Sequence, residues 1–294
     1  GECKRIRFGS GQGRRDSCPL LSFLKNEADV DFSLFIRDSF LVSVKGISFF
    51  DDLYPSIQSE GRMITLELLG KEWGESVRDW TFRTILYNLV NLVLPPGSAV
   101  SENDVAAALG TSRTPVREAF IRLAQDGLLV VYPQKGTYVS LVDEHRVEEG
   151  RYMRLCLEMH TMELACEIRT PEDLVALETN LRLQRLAVDE KKPSRFFCLD
   201  EDFHRLVFAA CGKERIWEAI RKMSSHFDRV RMLSLHATDR EKIISQHQFL
   251  FEVIGNRDHW KARDAVNEHL TKVNYDLGKL RREYPSYFRT TQGR

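Results

Sequence analysis

The chain has 294 residues, enough for two domains and a sizeable core. Its 43 lysines and arginines balance 43 aspartates and glutamates, which excludes attraction of the chain as a whole to nucleic acid. No apolar run approaches the about 20 residues that cross a bilayer, and the six cysteines form no C-x-x-C pair. These features predict a cytoplasmic protein with reduced thiols and no membrane partner.

The first 62 residues differ in character from the rest. Residues 1–18 are rich in Gly, Arg and Ser, and residues 30–55 mix apolar and polar side chains without a clear period. The chain begins at Gly1, and Met63 opens the first stretch with clear helical character. We therefore expect residues 1–62 to be an extension outside the functional fold, arising from a misplaced start. A genuine basic arm that contacts DNA is the alternative.

Three helices are predicted next. Apolar residues recur at helical spacing over residues 80–94, until a Pro-Pro-Gly run stops the helix. Ser101 is a good N-cap for a second helix, and Gly110 supplies the sharp turn after it. Ser112 can cap a third helix directly after that turn. Two helices joined by so short a turn are typical of a helix-turn-helix.

A small β-hairpin follows the third helix. Residues 128–132 and 137–141 are short β-rich runs, and Pro-Gln-Lys-Gly joins them as the tip. A hairpin in this place is the wing of a winged helix-turn-helix. We assign residues 63–142 to such a DNA-binding domain.

The start of the third helix carries the candidate contacts to DNA. Arg113 and Arg117 are four residues apart and share a helix face, and arginine pairs bidentately with guanine in the major groove. Alone, such a pair is typical of any exposed helix face; the turn, the upstream helix and the wing favour DNA recognition. The candidate DNA-binding residues, including short donors for phosphate and the hairpin tip, are Ser112, Arg113, Thr114, Arg117, Lys135 and Gly136.

Residues 143–285 are helical in pattern almost throughout. Breaks at Pro- and Gly-containing segments divide them into about six helices without a strand signal, which predicts an all-helical bundle. Residues 286–294 are assigned to a tail. The expected fold class is therefore mainly α, with an N-terminal winged helix-turn-helix domain and a C-terminal all-helical bundle.

Four residues of this domain form a candidate metal site. Asp200 and His204 are four residues apart on a helix and face the same way. His247 and His269 flank a predicted turn, roughly 12 and 16 Å from it along an antiparallel helix pair. One Asp and three His on three helices can converge inside a bundle, and such ligands suit Zn²⁺, Ni²⁺, Mn²⁺ or Fe²⁺ alike. A lone histidine is more often a surface or core residue, which is how we interpret the others.

The DNA-binding segment resembles the GntR family of bacterial transcription regulators. The resemblance spans about residues 78–142 and is carried by Ser112–Ala119, by the Asp-Gly-Leu that closes the third helix and by Gly136–Val139. It implies a winged helix-turn-helix that binds DNA. One departure is Asn103, where many relatives have an arginine that also contacts DNA.

The helical segment resembles the FCD effector domain of the FadR-type GntR subfamily. The resemblance is carried by Asp200-Glu-Asp-Phe-His204, His247, Asn256-Arg-Asp258 and His269-Leu270. In many members these four Asp and His positions bind a metal, and a small carboxylate binds beside it. A carboxylate needs a cation, for which Arg154 and Arg229 are the candidates and Arg231 a weaker one. An intradomain salt bridge is the alternative role for each.

These expectations together predict a ligand-responsive transcription regulator. A homodimer would place two recognition helices on a palindromic operator, and an organic or sugar acid would modulate operator affinity. One alternative is a regulator whose effector is the metal itself. A metalloenzyme is less favoured because no separate general base stands out, so we predict no enzymatic activity.

Overall fold

The computed structural model describes residues 64–190, 192–237, 240–272 and 277–289. The predicted extension over residues 1–62 lies outside the described residues, as does the end of the chain. The described part is mainly helical with one small antiparallel sheet, which confirms the predicted fold class. No helix within the described residues combines the length and apolarity needed to cross a membrane.

The N-terminal half forms the winged helix-turn-helix. Its elements are α1 (Val77–Val90), β1 (Ala99–Val100), α2 (Glu102–Leu109), α3 (Arg113–Gln125), β2 (Leu129–Tyr132) and β3 (Gly136–Val139). Helix α1 ends earlier than the apolar spacing predicts, because Leu92 adopts a left-handed φ of 61° before the prolines are reached. Gly110 closes α2 with a φ of 62°, a conformation that glycine adopts without strain.

The three strands lie in the order β1-β3-β2, all antiparallel. Strand β3 therefore pairs on both sides: Thr137 lies opposite Val131 on β2 and Val100 on β1. The core of this half joins one face of α1, α2 and α3 to the sheet, and includes Ile85, Leu89, Val105, Val116, Leu123 and Leu128. Packing of α1 against α3 fixes the recognition helix on this core.

The C-terminal half is a helical bundle. Its elements are α4 (Glu144–Ile168), α5 (Pro171–Asp189), α6 (Pro193–Ala210), α7 (Glu214–Met223), α8 (Ser225–Ala237), α9 (Arg240–Gly255), α10 (His259–Lys272) and α11 (Leu277–Glu283). The described residues thus contain eight helices here, not about six. The break between α7 and α8 falls at Ser224, which offers no proline or glycine signal.

Residues 286–289 pack against the link between the two halves. Val142 donates its N–H to the Tyr287 carbonyl at 2.8 Å and accepts from the Arg289 N–H at 3.1 Å. Phe288 is buried beside Val142 and Val147. Residues 286–289, which the sequence analysis assigns to a tail, therefore cover the start of the helical domain.

Helix α8 lies between the two halves of the molecule. All its residues from 225 to 235 are buried except Arg231, which is half-buried. It packs against α4 and α6 of its own domain and against α1 of the DNA-binding domain. Met232 and Leu235 share a hydrophobic cluster with Val90 of α1. This helix consequently contacts both the DNA-binding half and the polar interior of the bundle.

Candidate metal centre and DNA-recognition surface

Three histidines from three helices meet inside the bundle. The Nε2 atom of His269 on α10 lies 3.3 Å from Nε2 of His247 on α9 and 3.2 Å from Nε2 of His204 on α6. Asp200, one turn before His204, places its Oδ1 3.6 Å from the His247 Nε2. All four residues are buried. The structure thus brings together the four side chains that the sequence analysis groups.

Each of the three imidazoles contacts a side-chain oxygen through its Nδ1 atom, on the side of the ring that faces away from the centre. The His204 Nδ1 lies 2.7 Å from Oε2 of Glu158, and the His247 Nδ1 lies 2.8 Å from Oε1 of Gln184. The His269 Nδ1 makes a longer contact of 3.4 Å with Oε1 of Gln246. Acceptors in this position are the usual outer shell of metal-bound histidines, since they fix the ring and its tautomer.

A chain of amides fixes the tautomer of His247. The Asn180 amide donates to the Leu199 carbonyl, so its Oδ1 is left to accept from the Gln184 amide at 2.7 Å. The Gln184 Oε1 then faces His247 and accepts from its Nδ1–H. His247 therefore presents an unprotonated Nε2 to the centre, because a neutral imidazole carries one N–H.

The centre is a set of converging lone pairs. The carboxylate of Glu158 accepts from the Nδ1–H of His204, which leaves the Nε2 of His204 facing the centre. Burial lowers the pKa of His247 to about 3, and burial with the neighbouring imidazoles keeps the pKa of His269 well below 6.5. At neutral pH, protonation of His247 or His269 therefore does not relieve the repulsion between their lone pairs.

This donor set fits a divalent metal ion. A ligand nitrogen lies about 2.0–2.1 Å from zinc, so two nitrogens on one ion are about 3 Å apart, as the Nε2 atoms are here. Three imidazoles whose nitrogens all lie within 4.8 Å of one another, with a carboxylate beside them, suit first-row metals. Asp200 supplies the negative charge: burial acts to raise its pKa, but the opposing effect of the neighbouring Arg231 guanidinium holds the pKa below the usual value.

Buried arginines and carboxylates surround the centre. Arg231 on α8 pairs with Asp200 and Glu201 and lies 3.2 Å from Asp228. These acidic partners outweigh the cost of burial and raise the pKa of Arg231. Burial and the nearby Glu201 raise the pKa of Asp228 to about 6. The network keeps positive charge directly beside the Asp200 carboxylate.

Arg154, one of the two predicted effector contacts, belongs to this network. Its guanidinium is fully buried, pairs with Glu158 and donates to Glu201 at 2.7 Å, over the ring of Trp217. Its Nη2 has no hydrogen-bond partner among the described residues. A buried donor of this kind is costly unless something accepts from it.

Arg229, the other predicted effector contact, is held at the junction of the two domains instead. Its Nη1 donates to the Ser140 carbonyl at 2.8 Å, and its Nη2 lies 3.3 Å from Nδ1 of His226. The residue that pairs with Asp200 is Arg231, the weaker candidate. Residues two positions apart project from a helix about 200° from each other. Arg229 and Arg231 therefore lie on nearly opposite faces of α8, and the rotation of the helix about its axis decides which of them reaches the metal site.

His226, which the sequence analysis leaves as an ordinary histidine, connects the domains. Its Nδ1 accepts from the Asp143 N–H at 3.1 Å, and its Nε2 lies 3.2 Å from the Gly127 carbonyl. Gly127 closes the recognition helix and Asp143 caps α4. Burial lowers the pKa of His226 to about 3, so the ring stays neutral.

Several residues around the centre were not predicted from the sequence, among them Gln184, Glu201 and Gln246. Gln184 carried a usable signal, because Asn180 and Gln184 are polar residues on the otherwise apolar buried stripe of α5. Glu201 lies three residues before His204 and so shares its helix face. For Gln246 we find no signal, since the residue after it is the more obvious ligand.

The predicted DNA contacts lie on two exposed elements, the start of α3 and the tip of the wing. Arg113 and Arg117 project from the first two turns of α3, and the Arg113 side chain is 66% exposed beside Glu102. Ser112 occupies the N-cap position but makes no capping hydrogen bond, which differs from the prediction. The remaining candidates, Thr114 on α3 with Lys135 and Gly136 at the wing tip, are all exposed.

The winged fold, the exposed arginines of α3 and the enclosed helical bundle define a two-domain DNA-binding regulator. Residues 82–139 match the family described as bacterial regulatory proteins, gntR family, and residues 151–272 match the FCD domain. The chain is 31% identical over 215 residues to the HTH-type transcriptional repressor RspR of Escherichia coli K12, covering 73% of this chain and 94% of that protein. The chain belongs to the GntR family of transcription regulators, in the subfamily with an FCD domain.

Two further relatives agree with this assignment. An HTH-type transcriptional regulator from an unstable DNA locus of Streptomyces ambofaciens is 36% identical over 204 residues, which cover 69% of this chain and 85% of the relative. The solved structure of E. coli McbR/YncC superposes with a TM-score of 0.63 at 22% identity, covering 71% of this chain and 99% of that chain. At that identity the superposition supports the fold alone. The chain is therefore a DNA-binding regulator, as its relatives are, and not an enzyme.

Proposed function

We propose that a small carboxylate, bound beside a divalent metal in the helical domain, sets the affinity of this regulator for its operator. The ion is held by Asp200, His204, His247 and His269. The observation that carries the proposal is the convergence of three buried Nε2 atoms whose Nδ1 atoms face acceptors. The metal is Zn²⁺, Ni²⁺, Mn²⁺ or Fe²⁺, because all of these accept such a ligand set.

The charges around the site support a carboxylate as the ligand. The ion, when bound, supplies a positive charge that attracts a carboxylate oxygen. Arg154 offers a fully buried Nη2 without a hydrogen-bond partner among the described residues, and Arg231 brings a second guanidinium beside Asp200. A carboxylate accepting from either guanidinium makes a charge-assisted hydrogen bond, the stronger kind. Arg229 serves in transmission instead of ligand binding.

Helix α8 links the site to the DNA-binding domain. Arg231 faces the metal site, while His226 and Arg229, less than two turns earlier, contact the Gly127 and Ser140 carbonyls. A ligand that displaces Arg231 from Asp200 changes the position of α8 and, with it, the linker over residues 141–148 and the wing. The ligand thereby favours one arrangement of the two domains over the other.

On the DNA side, a homodimer places two copies of α3 in successive major grooves of a palindromic operator. Arg113 and Arg117 read base edges, while Ser112 and Thr114 contact phosphate near the helix start. Lys135 and Gly136 at the wing tip approach the backbone or the minor groove.

The test titrates metal and carboxylates separately while operator binding is measured by fluorescence anisotropy. We expect operator affinity to change only when metal and a carboxylate are both present. If metal alone changes it and carboxylates have no effect, the regulator responds to the metal. The variant H247A/H269A should lose the metal and the carboxylate response, with H160A, an exposed histidine on α4, as the matched control. Full metal content in the double variant overturns the ligand assignment.

A further inference from the structure

A small cavity opens directly beside the metal site. Its lining residues are Phe197, Asp200, Arg231, Ser234, Leu235 and Ile243. The wall nearest the site is charged, since Asp200 and Arg231 pair there. Apart from Ser234, the rest of the lining is apolar and comes from three helices: Phe197 from α6, Leu235 from α8 and Ile243 from α9.

We propose that this cavity receives the body of the effector, and that the body is apolar: the effector is a short aliphatic or aromatic monocarboxylate and not a polyhydroxylated acid. The inference rests on the proposed function, which supplies the carboxylate end at Arg231 and the metal. A sugar acid would bring several hydroxyls against Phe197, Leu235 and Ile243, whose side chains cannot pair with them, and Ser234 is the one hydroxyl-bearing residue in the lining. Burying an unpaired hydroxyl costs more than burying a methylene gains.

The cavity is too small to hold such a ligand without a change in the structure. In this structure the cavity has room for about one water molecule. An apolar body of three or more carbons must therefore push the apolar wall outward.

The wall residues also belong to the interface between the domains. Phe197, Leu235 and Ile243 form one hydrophobic cluster with Val90 of α1, and Leu86 of α1 packs against it. An apolar ligand body that enlarges this cavity consequently displaces residues that pack against the DNA-binding domain. The longer the body, the larger the displacement, until the cavity can open no further.

The first experiment measures binding of a graded series to the metal-loaded, full-length protein by calorimetry, using acetate, propionate, butyrate and hexanoate, with gluconate as the polar probe. Each buried methylene should tighten binding by up to about fourfold, which corresponds to about 0.8 kcal/mol less the cost of opening the cavity. Gluconate should bind more weakly than butyrate. Equal affinity along the series, or tighter binding of gluconate, overturns the proposal.

A matched pair of variants locates the apolar body. Ile243 and Ile244 are neighbours on α9, are each 3% exposed and belong to the same cluster, but only Ile243 lines the cavity. I243V should shift the preferred acid toward a longer chain, whereas I244V should leave the preference unchanged. An identical preference in both variants refutes the assignment, and the single-methylene change keeps both variants folded.

Measurements of operator binding with the same acids distinguish a failure of the apolar-ligand inference from a failure of the proposed function. Release of operator should follow the chain length of the acid. If acids bind and release operator but gluconate is preferred, only this inference fails. If no carboxylate binds while the metal is retained, the proposed function fails as well.

Discussion

Replacing His226 by glutamine should make the stability of the protein less sensitive to acid. His226 is 4% exposed at the junction of the domains, where its ring lies between the Gly127 carbonyl and the Asp143 N–H. Burial is the main cause that lowers its pKa to about 3, and the nearby Arg229 and Arg146 add to the shift against the opposing effect of Asp143. The unfolded chain titrates this group near 6.5.

The sign and size of the effect follow from these two pKa values. Above pH 6.5 the ring is neutral in both states and contributes no pH dependence. As the pH falls toward 3, the unfolded chain binds a proton that the folded protein excludes, so the free energy of unfolding decreases. Between pH 7 and pH 5 the loss assigned to His226 is about 2 kcal/mol, from 1.36 kcal/mol per pKa unit.

The assay is urea unfolding of the wild type and H226Q at pH 7, 6 and 5. Glutamine can still donate to the Gly127 carbonyl but does not titrate. H226Q is expected to be less stable at pH 7 by about 1 kcal/mol, through the lost acceptor, and to lose about 2 kcal/mol less than the wild type on acidification. H160Q, at an exposed position on α4, is the control. Equal losses in wild type and H226Q would refute the buried, neutral state of the ring.

Three further outcomes are expected. R113A should weaken specific operator binding by about 1–3 kcal/mol and relax one operator position, and unchanged affinity in a gel-shift titration would remove Arg113 from the recognition surface. Q184L should lower metal affinity about 10- to 100-fold while the protein stays folded, because the acceptor that orients the imidazole of His247 is gone. A metal-competition titration measures the affinity. Wild-type affinity in the variant would contradict the outer-shell role of Gln184. L123A should destabilise the DNA-binding domain by about 2–5 kcal/mol, since Leu123 is fully buried, whereas I121A on the same helix, at a side chain 52% exposed, should change stability little in thermal unfolding.

The proximity of the four candidate ligands could be anticipated from spacing because it depends on local geometry. Asp200 and His204 share a face by helical periodicity, and one short turn fixes the relative heights of His247 and His269. Their function as ligands stays a prediction. The buried stripe of α5 marks Gln184 as an unusual polar residue, but its pairing with His247 depends on how α5 packs against α9, a tertiary contact that spacing does not predict.

The two arginines of α8 show a different limit. Arg229 and Arg231 differ by two positions, and the register of α8 decides which of them faces the bundle interior. That register is set by where the helix begins. Helix α8 begins at Ser225, where no proline, glycine or clear N-cap residue marks the start of a helix in the sequence. The need of a carboxylate for a cation points to arginines of this helix, but only the packed structure assigns their partners.

The buried position of α8 constrains how regulators of this kind can be recombined. A DNA-binding domain moved onto another helical domain would carry Leu86 and Val90 to a surface that lacks the matching Met232 and Leu235. At about 25 cal/mol per Å² of apolar surface, even a few such side chains left uncovered cost a chimera much of its stability. New operator specificity can be grafted through the exposed residues of α3, whereas an exchange of whole domains must transfer the facing surface of α8 as well.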